Sequence, residues 1–183
     1  MKKATFLFLW FISLALTGQS LQIVDYTQKV SFGFRSKTHR KIDMIVIHSS
    51  YNKEPDSFSV AGILHEYQCY HVAAHYLIDR QGIVYRLVPE TDVAFHAGKS
   101  RLPGTNRTNL NATSIGIELI NTPSTPPDQL QYQSLVTLIQ DIKKRYSITH
   151  IVGHQDIAPL RKTDPWLFDW KKFGEMMKAQ SKQ

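Results

Sequence analysis

Three short apolar runs constrain this chain more than any other feature, because each closes on or near a residue able to do chemistry. IDMIVIHSS (42–50) ends past His48, TSIGIELI (113–120) carries Glu118 near its end, and ITHIVGH (148–154) stops at His154. Apolar runs of this length, bounded by polar turns, are the mark of buried strands. Neighbouring strands lie about 4.8 Å apart. Two histidines at strand tips can therefore converge on one point above a sheet edge.

The rest of the pattern supplies helices to cover that sheet. SFSVAGILHEYQCYH has helical spacing through Val60, Ile63, Leu64, Tyr67 and Tyr70, with Ser57 or Ser59 as N-cap. AHYLIDRQGIVYRLV predicts strand, turn and strand around Arg80-Gln81-Gly82. DVAFHAGKS predicts a short edge or loop, followed by a Gly/Asn/Thr-rich loop over 98–112. PDQLQYQSLVTLIQDIKKRYS gives the strongest helical pattern: Pro127 opens it and Leu130, Leu135, Leu138, Ile139 and Ile142 line one face. DWKKFGEMMKAQ predicts a closing helix. With no internal repeat or linker, the expected fold is a single α/β domain over 42–178, a mixed central sheet flanked by helices, preceded by a polar lead-in over 21–41.

The N-terminus reads differently. Lys2 and Lys3 precede ATFLFLWFISLALTG, and small or polar residues follow. A charged start, an apolar stretch of about fifteen residues and small residues beyond it predict a secretory signal peptide over 1–20, cleaved near Gly18 to Ser20. The stretch falls short of the roughly 20 residues a spanning helix needs. The expectation is an exported protein, periplasmic or extracellular, monomeric and not inserted in a membrane after cleavage. Cys69 is the single cysteine, so no intramolecular disulfide forms, and its helical setting predicts a small core residue. Losing Lys2 and Lys3 takes the net charge from +7 to +5. That mild basicity suits an anionic polymer but also serves plain solubility. No basic cluster with interleaved aromatics marks a nucleic-acid binder.

The chemistry concentrates in GHQDIAPLRKTDP (153–165), which gathers His154, Asp156, Arg161, Lys162 and Asp164 in a segment its prolines keep irregular. Ten residues separate His154 from Asp164, a gap matching neither a helix face nor a strand alternation. His48, His154 and Asp164 offer three N/O ligands, and three protein ligands with one open position is the pattern of a catalytic zinc. A strand-end histidine held only by hydrogen bonds is the plain alternative. A second pair, His71 and His75 in HVAAH, has zincin spacing but lacks the glutamate after the first histidine. The alternation of AHYLI also places His75 on a strand. Asp156 either orients His154 or caps the turn, and Arg161 is either a surface ion-pair partner or a substrate contact.

IVIHSS, AAHYLIDRQGIVYRLVPE, AFHAG, NATSIGIELIN and GHQDIAPLRKTDP occur in that order. Together they resemble the zinc-dependent type 2 N-acetylmuramoyl-L-alanine amidases, a family related to peptidoglycan recognition proteins and phage amidases. The resemblance covers residues 42–170. It implies a Zn2+ held by His48, His154 and Asp164, with Glu118 activating the attacking water and Lys162 as the cation beside the scissile carbonyl. It also implies His96 and Asn111 on the substrate groove, and peptidoglycan or a muropeptide as substrate. Phe95 stands where many relatives have Trp, Ala112 where an acidic residue is common, and Trp166 where Gly is usual. These departures bear on groove shape and substrate preference, not on the metal. A binding module that recognises muropeptides without cutting them, and a metallopeptidase acting within the stem peptide, are the competing functions.

Overall fold

The computed structural model describes residues 21–37 and 39–181. The predicted signal segment over 1–20 lies outside the described residues. Among those described, strands β1 (Ile23–Asp25), β2 (Phe34–Arg35), β3 (Met44–Ser50), β4 (Tyr76–Ile78), β5 (Val84–Arg86), β6 (Val93–Ala94), β7 (Ser114–Ile120) and β8 (His150–Gly153) form two sheets. The larger has the order β1-β5-β4-β7-β3-β8, and β2 pairs with β6 in a small antiparallel ribbon. The β4–β7, β7–β3 and β3–β8 pairings are parallel while β4–β5 is antiparallel, so the sheet is mixed. Helices α1 (Val60–Tyr70), α2 (Gln129–Arg145), α3 (His154–Ile157) and α4 (Trp170–Gln180) cover it.

Strand periodicity divides the labour of β3 and β7. Successive side chains point to opposite faces. Ile45 and Ile47 of β3, with Ile115, Ile117 and Leu119 of β7, pack under Leu135, Leu138, Ile139 and Ile142 of α2. Met44 and Val46 face the other way, against Ala97, Leu102, Leu110 and Ile157. His48 and Ser50 continue that second face, and Glu118 joins it from β7. The sheet's hydrophobic effort on one side thus leaves its opposite side free to carry polar groups at the strand tips.

Several elements differ from the sequence expectation. The lead-in contributes β1, which pairs in parallel with β5 at the sheet edge. Helix α1 agrees with that expectation, capped by Ser59, which accepts from the Gly62 amide at 3.2 Å. Helix α2 is opened by a capping box, not by Pro127: Asp128 accepts from the Leu130 amide, and Gln131 Oε1 accepts from the Asp128 amide at 2.8 Å. Leu130 is consequently turned outward, 38% exposed. Gln131 takes the inner position, fully buried, and donates to the carbonyls of Ile78 and Ile120 at 3.0 and 3.1 Å. That side chain fixes α2 against the ends of β4 and β7. Cys69, expected in the core, is exposed. His154 lies just past β8 as the first residue of α3.

Candidate metal centre

The register of the parallel strands builds the site. His48 on β3 pairs with Glu118 on β7, and Ile47 pairs with Gly153 on β8. One residue further along, His154 stands on the other side of His48 from Glu118. Asp164 reaches the same point from the loop after α3, and backbone ties hold that loop. The Gln155 amide donates to the Asp164 carbonyl at 2.7 Å, the Trp166 amide to Ser49 Oγ at 3.0 Å, and Asn121 Nδ2 to the Trp166 carbonyl at 2.9 Å. Asp156 caps the turn before it, accepting from the Gly153 amide at 2.7 Å.

The converging atoms are Nδ1 of His48, Nδ1 of His154 and Oδ2 of Asp164, all on buried residues. They stand 3.0 Å (His48 to His154), 3.2 Å (His154 to Asp164) and 3.4 Å (His48 to Asp164) apart. A tetrahedral ion with bonds of about 2.0–2.1 Å needs its ligand atoms roughly 3.3 Å apart, so the spacing fits zinc. The protonation pattern fits as well. Nε2 of His48 is 3.0 Å from His96 Nδ1, and Nε2 of His154 is 3.3 Å from the Ala97 carbonyl oxygen. With those acceptors taking each Nε2–H, both Nδ1 lone pairs face the carboxylate. Three acceptors aimed at one buried point repel one another unless a cation joins them. Burial pushes the His48 imidazole down to about 4, which keeps it neutral as a ligand must be.

Glu118 lies beside this point without belonging to the ligand group. Its Oε2 accepts from Ser50 Oγ at 2.7 Å, and Ser50 Oγ is also 2.7 Å from the Tyr67 hydroxyl. Burial, reinforced by the nearby Asp164 charge, pushes Glu118 up to about 8 against the pull of Ser50 and Lys162. A carboxylate of that basicity is matched to taking a proton near neutral pH. Glu118, Lys162 and the three ligand residues line one cavity of about 640 Å³. Tyr70, Phe95 and Trp166 form its aromatic walls. Arg161 also lines it and donates to the Lys99 carbonyl.

His96 borders the cavity, but both its ring nitrogens have partners: His48 Nε2 at 3.0 Å and Ser114 Oγ at 3.2 Å. Asn111, expected on the groove, is absent from the cavity lining, and its Oδ1 instead accepts from the backbone amides of His96 and Ala97. The alternative pair separates: His71 caps α1 in the left-handed region, while His75 is buried and accepts from the Gly116 amide at 3.0 Å. Sequence reading missed Ser50 and the Tyr67 hydroxyl. Ser50 follows His48 by two positions and so shares its strand face, a signal available from spacing. Tyr67 was hidden by the helical apolar stripe it belongs to.

A family model described as N-acetylmuramoyl-L-alanine amidase (Amidase_2) matches residues 38–166. The 1,6-anhydro-N-acetylmuramyl-L-alanine amidase AmpD of Enterobacter cloacae is 44% identical over 113 residues, covering 60% of this chain and 59% of that protein. This chain thus spans somewhat more than half the length of that relative. A crystal structure of a selenomethionine AmpD derivative superposes with a TM-score of 0.69 at 30% identity, covering 85% of this chain and 93% of that one. The amidase AmiD from E. coli, solved with the substrate anhydro-N-acetylmuramic acid-L-Ala-D-gamma-Glu-L-Lys, superposes at 0.64 with 34% identity, covering 78% and 60% respectively. With its strand-tip ligands and the match over 38–166, the chain belongs to the type 2 N-acetylmuramoyl-L-alanine amidase family.

Proposed function

We propose that this protein is a zinc-dependent amidase that hydrolyses the bond between N-acetylmuramic acid and L-alanine in peptidoglycan or its fragments. The observation that carries the reading is the His48, His154 and Asp164 group lining a cavity that Glu118 and Lys162 also line. Zinc bound there supplies a Lewis acid and a water of lowered pKa. The chain's own residues supply the rest. Glu118 has Oε2 engaged by Ser50, so Oε1 takes the proton of the attacking water and later returns it to the departing amine. The Lys162 ammonium stands on the same cavity and offers positive charge to the carbonyl oxygen as it becomes an oxyanion, a contribution of about 10²–10³ for one such donor. Tyr70, Phe95 and Trp166 offer apolar faces to a substrate lying in the cavity. The AmiD complex with an anhydro-muropeptide supports a sugar on one side of the scissile bond and a stem peptide on the other.

Digesting a purified muropeptide and identifying the products by mass tests the reading. The expected product is an intact stem peptide with a new N-terminal L-alanine and an uncut glycan. New termini at D-glutamate or the diamino acid indicate a peptidase, and shortened glycan indicates a glycosidase. Bound but unchanged muropeptide indicates a recognition module.

The same proposal includes export from the cytoplasm, supported by Lys2, Lys3 and the apolar stretch after them. N-terminal sequencing of the native protein is expected to begin within a few residues of Gln19. Met1 intact on a membrane-embedded form shows that the segment is an anchor and not a cleaved signal.

A further inference from the structure

We propose that Asn111 is a positioning residue for the metal centre, acting on both histidine ligands through the backbone of His96 and Ala97. This rests on the zinc reading above, and it departs from the substrate contact implied for Asn111 by resemblance. The side chain sits on a 3-10 turn (Leu110–Thr113) just before β7. Its single Oδ1 accepts from two successive backbone amides, His96 at 3.2 Å and Ala97 at 2.7 Å. Each of those two residues then supports one ligand. The His48 Nε2–H donates to His96 Nδ1 at 3.0 Å, and the His154 Nε2–H donates to the Ala97 carbonyl at 3.3 Å.

The direction of these bonds matters as much as their length. Once His96 Nδ1 accepts from His48, the proton of His96 lies on Nε2 and donates to Ser114 Oγ at 3.2 Å. Ser114 in turn donates to the Leu110 carbonyl at 2.7 Å. The chain ends on a carbonyl, which only accepts, so every donor upstream has one sense. His48 is thereby held with its Nδ1 lone pair free. The Ala97 carbonyl imposes the same tautomer on His154. Gly116 completes the frame: a Cβ there would come within 2.5 Å of His96 Cγ, so only glycine admits the ring. Among the described residues, Asn111 is the one side chain that holds both peptides of this support.

Outer partners of metal ligands typically contribute roughly 10- to 100-fold in metal affinity. Asn111 stands behind two such partners, so Asn111→Ala is expected to weaken zinc binding about 10-fold, the lower end of that range, read by competition with a chelator on the full chain. Asn111→Asp keeps an oxygen that accepts both amides and is expected to stay within about threefold of wild type. A nitrogen-detected spectrum of the metal-free wild-type imidazoles adds a test that needs no variant. Both His48 and His154 are expected as Nε2–H tautomers. Three results overturn the proposal: zinc affinity unchanged in Asn111→Ala while KM for muropeptide rises, equal loss in the Ala and Asp variants, or a Nδ1–H tautomer at either ligand. A wild-type chain that takes up no zinc overturns the functional reading instead, and the tautomers still report on the frame.

Discussion

Glu118→Gln is expected to leave zinc content at the wild-type level and to lower turnover of muropeptide roughly 10²- to 10⁴-fold. The two halves of this expectation come from different observations. Zinc is retained because the converging ligand atoms belong to His48, His154 and Asp164, and Glu118 is not among them. Gln is nearly isosteric, and its amide oxygen can still accept from Ser50, which now bonds Oε2 at 2.7 Å. Turnover falls because the amide then directs an NH₂ group, not a basic oxygen, at the place where a proton must be received. Burial and the Asp164 charge raise the basicity of Glu118, and no amide reproduces that. Metal analysis and product mass spectrometry on the same preparation check both halves. Activity within about threefold of wild type removes Glu118 from the reaction, and zinc lost in proportion to activity makes it a ligand.

The parts of this site that were legible in the sequence are those fixed by strand burial. IVIHSS and SIGIELI read as buried strands because a sheet covered on both faces needs apolar side chains at every position, and HIVGH forms the half-buried strand at the sheet edge beside the first of them. A polar residue at the end of such a run then stands out. The edge strand β1 was not legible: its three residues alternate exposed, half-buried, exposed and carry no more apolar signal than a loop. Leu130 was misplaced because helical spacing alone cannot see a capping box, which sets the phase of the first turn through Asp128 and Gln131. Cys69 was misplaced for a related reason. Its helix buries Ile63 and Tyr67, and Cys69 falls off that face. His96 and Asn111 show the limit most clearly. Their blocks identify them as belonging to the site, but whether a side chain faces the substrate or the back of a ligand depends on contacts between segments remote in sequence.

Asp164→Asn is expected to weaken zinc binding by more than 100-fold and to abolish measurable turnover. Loss of a directly ligating oxygen exceeds loss of an outer partner, which itself costs roughly 10- to 100-fold. The change removes the negative charge that two neutral imidazoles cannot supply, and leaves an amide that is a poorer donor to a cation. Collapse of the loop is not the expected cause. Its placement rests on the Asp164 carbonyl, the Trp166 amide and the Trp166 carbonyl, all of which are backbone groups that the substitution leaves in place. Thermal stability separates these two causes. Free zinc at 1,000 times its Kd stabilises the wild-type chain by about 4.1 kcal/mol, whereas a site 100-fold weaker gains only about 1.4 kcal/mol at the same zinc concentration. Without metal, the backbone ties of the loop remain in the variant, so its unfolding temperature is expected to stay close to that of the metal-free wild type. The zinc-dependent rise in unfolding temperature should therefore shrink while the metal-free baseline holds. A lowered baseline with an undiminished zinc response would make Asp164 a structural residue of the loop and leave the centre with two protein ligands.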